Sequence, residues 1–225
     1  TYVGIGLLGA PHGLLVTAIL GGMVSSTAMT LTLARLDTPK LRCALAAGLL
    51  ATSAPMFPRV RLGVGGATAA SLPSRLAPMR AAGGIYPGGA RVYYLRAAQQ
   101  PDINTEPPLK NPFELGPALR FAALLVAILV MVEGARRWLG DIGVYLVALL
   151  SGMSDVGAIT LSLANSAQAD LDAHIAVRGI FLAALSNSLV KAVLIALVGG
   201  RALALRTVPV MLGGLLCGLA VLMLV

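Results

Sequence analysis

The amino-acid sequence predicts an all-α protein, a polytopic transmembrane helical bundle with an internal duplication whose halves we expect to be inverted. Of its 225 residues, 57% are hydrophobic and only 12% are charged, whereas soluble domains carry roughly 25% charged residues. Several continuous apolar runs reach the roughly 20 residues that a helix needs to cross a bilayer. Residues 22–34 also align without gaps to residues 152–164, at a constant offset of 130 (152 − 22).

The first block of the chain contains two complete predicted spans. Residues 1–10 have the composition of the end of an apolar segment, and Thr1 is not an initiator residue. We therefore expect the chain to begin inside a longer protein. His12 to Ala34 and Leu41 to Val64 are each apolar and long enough to cross the membrane.

Residues 65–112 differ in composition from the blocks on either side. They are rich in glycine, proline and arginine, and they end in a polar run from Gln99 to Pro112. No window in this stretch is as apolar as the neighbouring spans, so we predict a long extramembrane or interfacial connection. A degenerate span near residues 65–85 is the alternative.

The second block contains four more predicted spans. They are Phe113 to Leu139, Ile142 to Asn165, Ile175 to Gly200 and Val208 to Val225. The chain then divides into three parts: a first repeat half, residues 1–64, the connection, residues 65–112, and a second repeat half, residues 113–225.

The charges of two short loops indicate how the two halves are oriented. The span of residues 12–34 is equivalent to that of 142–165, and the span of 41–64 to that of 175–200. The loop between the first-half spans contains Arg35 and Lys40, with Arg42 at its end, whereas the loop between the second-half spans contains Asp170 and Asp172. Because basic short loops stay in the cytoplasm, the two joints are expected on opposite sides of the membrane. This predicts inverted halves, as in several secondary transporter folds. A parallel duplication is the alternative, and it requires residues 65–85 to cross the bilayer.

The composition also limits the class of function. The net charge is +8, but the basic residues mostly flank apolar segments and aromatic residues make up only 4%. We therefore expect anionic lipid, and not nucleic acid, as their partner. Cys43 and Cys217 show no metal-ligand spacing, and no HExxH, paired CxxC or phosphate-binding glycine loop occurs. The sequence predicts no catalytic residue, metal or cofactor, and we do not expect an enzyme.

Asp155 is the principal candidate for a functional residue. It lies about fourteen residues into its span, which places it roughly 20 Å along the helix axis and near the bilayer midplane. A carboxylate at that depth costs about 2.5–3.5 kcal/mol on translocon scales. Such a group usually serves an ion or proton path, although a buried acid held by an ion pair is the alternative.

Lys191 is a second ionisable residue deep in a predicted span. Asn187 lies one turn earlier on the same helix face, and Lys191 can serve either as the counter-ion of Asp155 or as a residue that fixes helix register. Arg59 is the counterpart of Lys191 in the first half, and we expect its side chain to snorkel towards the interface.

Glycine and small polar residues lie together in the middle of both repeated segments. Because Gly21, Gly22 and Gly152 lower helix stability, we expect both helices to unwind there and to turn backbone groups towards a ligand. The polar residues expected to line this site with Asp155 and Asn187 are Ser25, Ser26, Thr27, Ser154 and Thr160. For any single one of them, ordinary helix packing is the alternative.

Five runs of the sequence together resemble a known family. They are GGMVSSTAMTLTLA (21–34), APMFPRV (54–60), NPFELGPALRFAALL (111–125), SGMSDVGAITLSLA (151–164) and LSNSLVKA (185–192). They are similar to domain of unknown function 4010, a polytopic membrane domain found C-terminal to MgtC/SapB-type domains in bacteria. The resemblance implies a protein of the bacterial inner membrane. Gly157 stands where the resemblance implies a second acid, so a site with two carboxylates is not expected.

These observations lead to two hypotheses of different kinds. The first is a transporter or channel for a small ion or solute, linked to protons or cations through Asp155. The second is a membrane subunit without transport activity that binds and regulates another membrane complex. In either case we expect the lipid bilayer as a partner, together with a homo-oligomer or a larger membrane assembly.

Overall fold

The computed structural model describes residues 10–67, 77–99, 140–169 and 172–224, and the regular elements in these ranges are all α-helices. They are α1 Ala10–Ala34, α2 Arg42–Ser53, α3 Met56–Ala67, α4 Ala77–Ala98, α5 Gly140–Ser154, α6 Val156–Ala169, α7 Ala173–Val198 and α8 Gly200–Leu224. The predicted span Phe113 to Leu139 lies outside the described residues.

Four stretches of these helices are long and apolar enough to cross a membrane. They are His12–Ala34, Arg42–Leu62, Ala173–Val198 and Gly200–Leu224. This confirms the prediction of an all-helical protein of the membrane type. The predicted span Ile142 to Asn165 instead consists of two shorter apolar helices, which meet at Asp155.

The last span begins earlier than the sequence suggested. Helix α8 starts at Gly200, eight residues before the predicted start at Val208. Gly200 has a φ of 74°, a left-handed conformation that glycine adopts without steric cost. A sharp turn at this glycine therefore separates α7 from α8, and no long loop is needed between them.

The chain forms two compact units that do not follow the order of the sequence. The first unit comprises the described parts of Thr1–Arg59, Ala77–Pro108 and Ser188–Val225, and the second comprises those of Val60–Leu76 and Leu109–Asn187. The boundaries predicted at residues 64 and 112 concern the duplication, and this division does not test them.

In the first unit, α1 packs on α2, and α4 packs on both α2 and α8. Tyr86 of α4 is fully buried, and its hydroxyl lies 3.3 Å from Ser188 Oγ and 3.4 Å from the carbonyl oxygen of Met211. Its ring also meets that of Phe57 edge to face, with centroids 5.0 Å apart. Tyr86 thus joins four helical segments of this unit.

Helix α4 lies inside the stretch that was predicted to be a connection. It buries one face, formed by Pro78, Met79, Ala82, Tyr86, Ala90 and Ala97, and it leaves its three arginines exposed. The sequence analysis missed this helix because its few large apolar residues are separated by glycine, alanine and arginine. It is not one of the four helices apolar enough to span, so its extramembrane or interfacial position stays a prediction.

The second unit contains α5, α6 and the N-terminal part of α7. Its helices approach closely where glycine removes the side chain. A Cβ built on Gly152 of α5 would lie 2.6 Å from Ala183 Cα of α7, far inside an ordinary contact. A Cβ built on Gly179 of α7 would lie 2.9 Å from Leu163 Cδ1 and 3.8 Å from Ala148 Cβ.

Candidate functional site

Helix α1 is interrupted at Ser25. The backbone there has φ −151° and ψ 102°, an extended conformation between two helical stretches. The backbone N–H of Ala28 donates to Ser25 Oγ at 3.3 Å. Because an N-cap side chain accepts from the N–H three residues later, Ser25 caps the second stretch of α1.

Asp155 separates α5 from α6 in the same manner. Its own N–H donates to the carbonyl oxygen of Ser151 at 2.9 Å, which closes the last turn of α5. Its Oδ2 accepts the N–H of Gly157 at 3.1 Å and that of Ala158 at 3.4 Å. The exposed carboxylate is therefore the N-cap of α6, where the positive end of the helix favours an anion.

The prediction that the helices unwind at Gly21, Gly22 and Gly152 is wrong in position by about three residues. These glycines are helical, and the interruptions fall at Ser25 and Asp155. Gly22 and Gly152 instead allow close helix contacts, because a Cβ on Gly22 would lie 2.7 Å from the carbonyl oxygen of Thr52. The backbone breaks where a side chain can cap the next helix, not where helix propensity is lowest.

Side chains from neighbouring segments satisfy carbonyl groups just before both interruptions. The guanidinium of Arg59 donates to the carbonyl oxygen of Met23, two residues before Ser25. The Nδ2 of Asn187 donates to the carbonyl oxygen of Gly152 at 2.9 Å, three residues before Asp155. The last carbonyl groups of a helix have no partner within it, so these side chains supply one. Arg59 is exposed as well, and its snorkelling towards the interface stays a prediction.

The hydroxyl residues near the interruptions differ in exposure. Thr27 and Thr160 are buried, whereas Ser25, Ser26 and Ser154 are half-buried. Thr160 Oγ1 donates to the carbonyl oxygen of Val156 at 2.7 Å, within its own helix. Its hydrogen is thus engaged, and its oxygen is the part that could meet a ligand.

The sequence analysis did not single out Thr52. Thr52 is fully buried in α2, and its Oγ1 donates to the carbonyl oxygen of Ala18 at 2.8 Å. Thr30 of α1 donates to the carbonyl oxygen of Ser26 at 2.8 Å, within its own helical stretch. A hydroxyl in an apolar run was the available signal for Thr52, but its partner lies 34 residues away.

Lys191 and Asn187 lie one turn apart on α7 and both are buried, with 0% and 2% of their surface exposed. The predicted pairing of Asp155 with Lys191 stays a prediction. Among the described residues, no group of three or more His, Cys, Asp or Glu residues is arranged to hold a metal ion.

The described residues contain four helical stretches that are long and apolar enough to cross a membrane, and two apolar segments that are interrupted and capped. These features indicate the class, a helical protein of the membrane type. The chain belongs to the family described as Domain of unknown function (DUF4010), which matches residues 1–199. This confirms the resemblance seen in the five sequence runs, while the association with MgtC/SapB-type domains stays a prediction.

A protein of Aquifex aeolicus (strain VF5) described as "Uncharacterized protein" is 35% identical to this chain over 99 residues. The aligned part covers 44% of this chain and 43% of that relative, so the chain spans less than half of the relative's length. No solved structure matches the chain.

Proposed function

We propose that this chain is a multi-pass protein of the bacterial inner membrane that moves a small ion or solute. The observation that carries the proposal is the pair of helix interruptions at Ser25 and Asp155, 130 residues apart (155 − 25). Interrupted helices at corresponding positions of two repeats form the binding sites of many secondary transporters. At such an interruption, backbone N–H and C=O groups are available to a ligand, whereas in a continuous helix they bond to one another.

The internal contacts of the two units support the duplication. A Cβ on Gly48 would contact Ala18 Cβ and Leu33 Cδ1, both at 3.4 Å. The matching contacts in the second unit are those of Gly179 with Ala148 Cβ and Leu163 Cδ1. The contacting residues correspond at the sequence offset of 130 (148 − 18 and 163 − 33), and the glycines at 131 (179 − 48).

The hydrogen bonds around the interruptions repeat in the same way. Ala28 donates to Ser25 as Ala158 does to Asp155, and the Thr30 hydroxyl bonds within its helix as that of Thr160 does. Both kinds of bond are common in helices, so what supports the duplication is that they recur at the offset of 130. The inverted orientation of the halves rests on loop charge alone and belongs to this proposal.

The two interruptions differ in the charge of the side chains around them. The first has a neutral cap, Ser25, and a fixed positive charge, Arg59, on its preceding helix end. The second has an anionic cap, Asp155, and a neutral amide, Asn187. In this proposal Asp155 couples transport through protonation or cation contact, with Lys191 as its counter-ion. Ser25, Ser26, Thr27, Ser154, Thr160 and Asn187 line the path.

The test is flux through the purified protein in liposomes. Entrapped indicators for protons, sodium, potassium and magnesium would be followed for the wild type and for Asp155→Asn. Asparagine caps a helix about as well as aspartate, so this substitution removes charge while retaining the cap. We expect a protein-dependent flux that Asp155→Asn reduces at least about tenfold, which corresponds to about 1.4 kcal/mol.

Ser25→Asn is the matched control, since it exchanges the cap of the other interruption for asparagine without removing a charge. The proposal predicts a smaller effect there. Unchanged flux in Asp155→Asn would refute the role of its charge. Absence of any flux, together with a protein that co-purifies in mild detergent, would favour the non-transporting regulatory subunit.

A further inference from the structure

The buried side-chain amide of Asn187 has a hydrogen-bond partner for its nitrogen but none for its oxygen. Its side chain is 2% exposed, and its Nδ2 donates to the carbonyl oxygen of Gly152 at 2.9 Å. Because a carbonyl can only accept, the amide nitrogen must face Gly152, which fixes the direction of the amide oxygen. That oxygen, Oδ1, has no hydrogen-bond partner among the described residues.

A buried amide oxygen without a partner costs about 1–3 kcal/mol, and such oxygens usually meet a water or an ion. The one on Asn187 lies beside the end of α5. Gly152 precedes Asp155 by three residues, or about 4.5 Å along a helix. The side-chain amide of Asn187 therefore lies against the last turn of α5, the turn that ends at Asp155.

Asp155 can contribute a second oxygen to this place. The two backbone N–H groups that it accepts both go to Oδ2. Its Oδ1 makes no hydrogen bond to any part of the chain that the structure describes. Together with the last carbonyl groups of α5, which form the negative end of that helix, the interruption presents oxygen atoms and the Asp155 charge, although Oδ2 also faces the positive end of α6.

We infer that the interruption at Asp155 binds a monovalent alkali cation through the Asp155 carboxylate and Asn187 Oδ1. One carboxylate and neutral oxygens balance a single positive charge, which a low-dielectric membrane interior favours over a residual charge. Gly157 stands where a second carboxylate would have favoured a divalent ion, and its N–H instead supports the cap.

The first interruption supplies an internal comparison. There the carbonyl group of Met23 accepts a hydrogen bond from the Arg59 guanidinium, so a positively charged side chain of the protein itself occupies the helix end. In the second interruption the neutral amide of Asn187 contacts the carbonyl group of Gly152, which lies one residue further from its break than Met23 does. The binding of the cation is inferred from the contacts of Asp155 and Asn187. Only the role of that cation, as transported ion or coupling ion, rests on the proposed function.

The test measures binding and not transport. The purified protein in detergent would be heated in sodium chloride, in potassium chloride and in choline chloride at equal ionic strength. Choline is too large for such a site, so it controls for screening. We expect sodium or potassium to raise the midpoint of thermal unfolding in a saturable manner, and isothermal titration calorimetry with the same salt to show a single site.

Three variants make the inference falsifiable. Asp155→Asn, which retains the cap, should abolish the cation-dependent shift, and Asn187→Ser should raise the concentration for half-saturation at least about tenfold. Thr52→Val removes a comparable buried hydrogen bond in the first unit and should leave that concentration unchanged.

Equal stabilisation by choline and alkali chlorides, or an unaltered shift in Asp155→Asn, would overturn the inference. If Asp155→Asn does not fold, calorimetry on the wild type decides alone. Absence of saturable sodium or potassium binding to the wild type would also overturn the inference. Saturable binding without flux would retain the site and refute the transport proposal, so the two failures are distinguishable.

Discussion

Substitution of Gly152 by alanine tests whether α5 and α7 pack as closely as the structure indicates. The new Cβ would lie 2.6 Å from Ala183 Cα, whereas ordinary carbon contacts lie at about 3.5–4.0 Å. The atoms on the Ala183 side are backbone, so the helices must separate by about 1 Å. Overpacking of this kind costs about 1–3 kcal/mol.

Part of that cost is offset, because alanine is more favourable than glycine inside a helix by about 1 kcal/mol. The net expectation is a loss of up to about 2 kcal/mol, or a fall of several degrees in the unfolding midpoint. Gly213→Ala is the matched control, since a Cβ there would have no atom within 4 Å. It should leave the midpoint unchanged or raise it.

The assay is the unfolding midpoint in detergent, followed by size-exclusion chromatography after heating. Gly22→Ala should fall in the same direction as Gly152→Ala, because its Cβ would lie 2.9 Å from Thr52 Cα. If Gly152→Ala proves as stable as Gly213→Ala, the helices are not in backbone contact at this point, and the packing described for the second unit is wrong.

Three other substitutions test the interruptions and the core by the same assay. Ser25→Ala removes the cap of the second stretch of α1 and should cost about 0.5–2 kcal/mol, while Ser25→Asp should restore most of it; equal stability of both variants would contradict a capping role. Asp155→Ala should be less stable than Asp155→Asn by about 1 kcal/mol, because asparagine retains the acceptor; equal stability of the two variants, both below the wild type, would indicate that the charge and not the acceptor holds the turn. Tyr86→Phe should cost about 1 kcal/mol through its buried hydroxyl, with Tyr93→Phe on the partly exposed side as control; no difference between the two would mean that the contacts with Ser188 and Met211 do not stabilise the unit.

The spanning helices could be predicted from the sequence because a bilayer requires long apolar runs, and such runs are visible without any partner. Helix α4 could not, since it gains its stability from one buried face. What identifies that face is the packing of Tyr86 and Met79 against other helices. A glycine-rich, arginine-bearing run gives no such sign by itself.

The interruptions show the same limit at the level of single residues. The aligned segments indicated that both helices are interrupted, but helix propensity placed the interruptions at the glycines. The deciding factor is which residue can accept the next N–H groups, and Ser25 and Asp155 do so. The partners of the preceding carbonyl groups, Arg59 and Asn187, come from residues 36 and 35 positions away. No local pattern contains such a contact.

The most direct test of the proposed pathway is whether water reaches the two interruptions in a bilayer. With Cys43 and Cys217 replaced by serine, single cysteines would be introduced as Ser25→Cys, Ser154→Cys and, as a control in an apolar helix, Val193→Cys. The proteoliposomes would be treated with a membrane-impermeant thiol reagent on either side. We predict labelling of Ser25→Cys and Ser154→Cys and none of Val193→Cys. If neither interruption reacts from either side, or if all three positions react alike, no aqueous path passes through them.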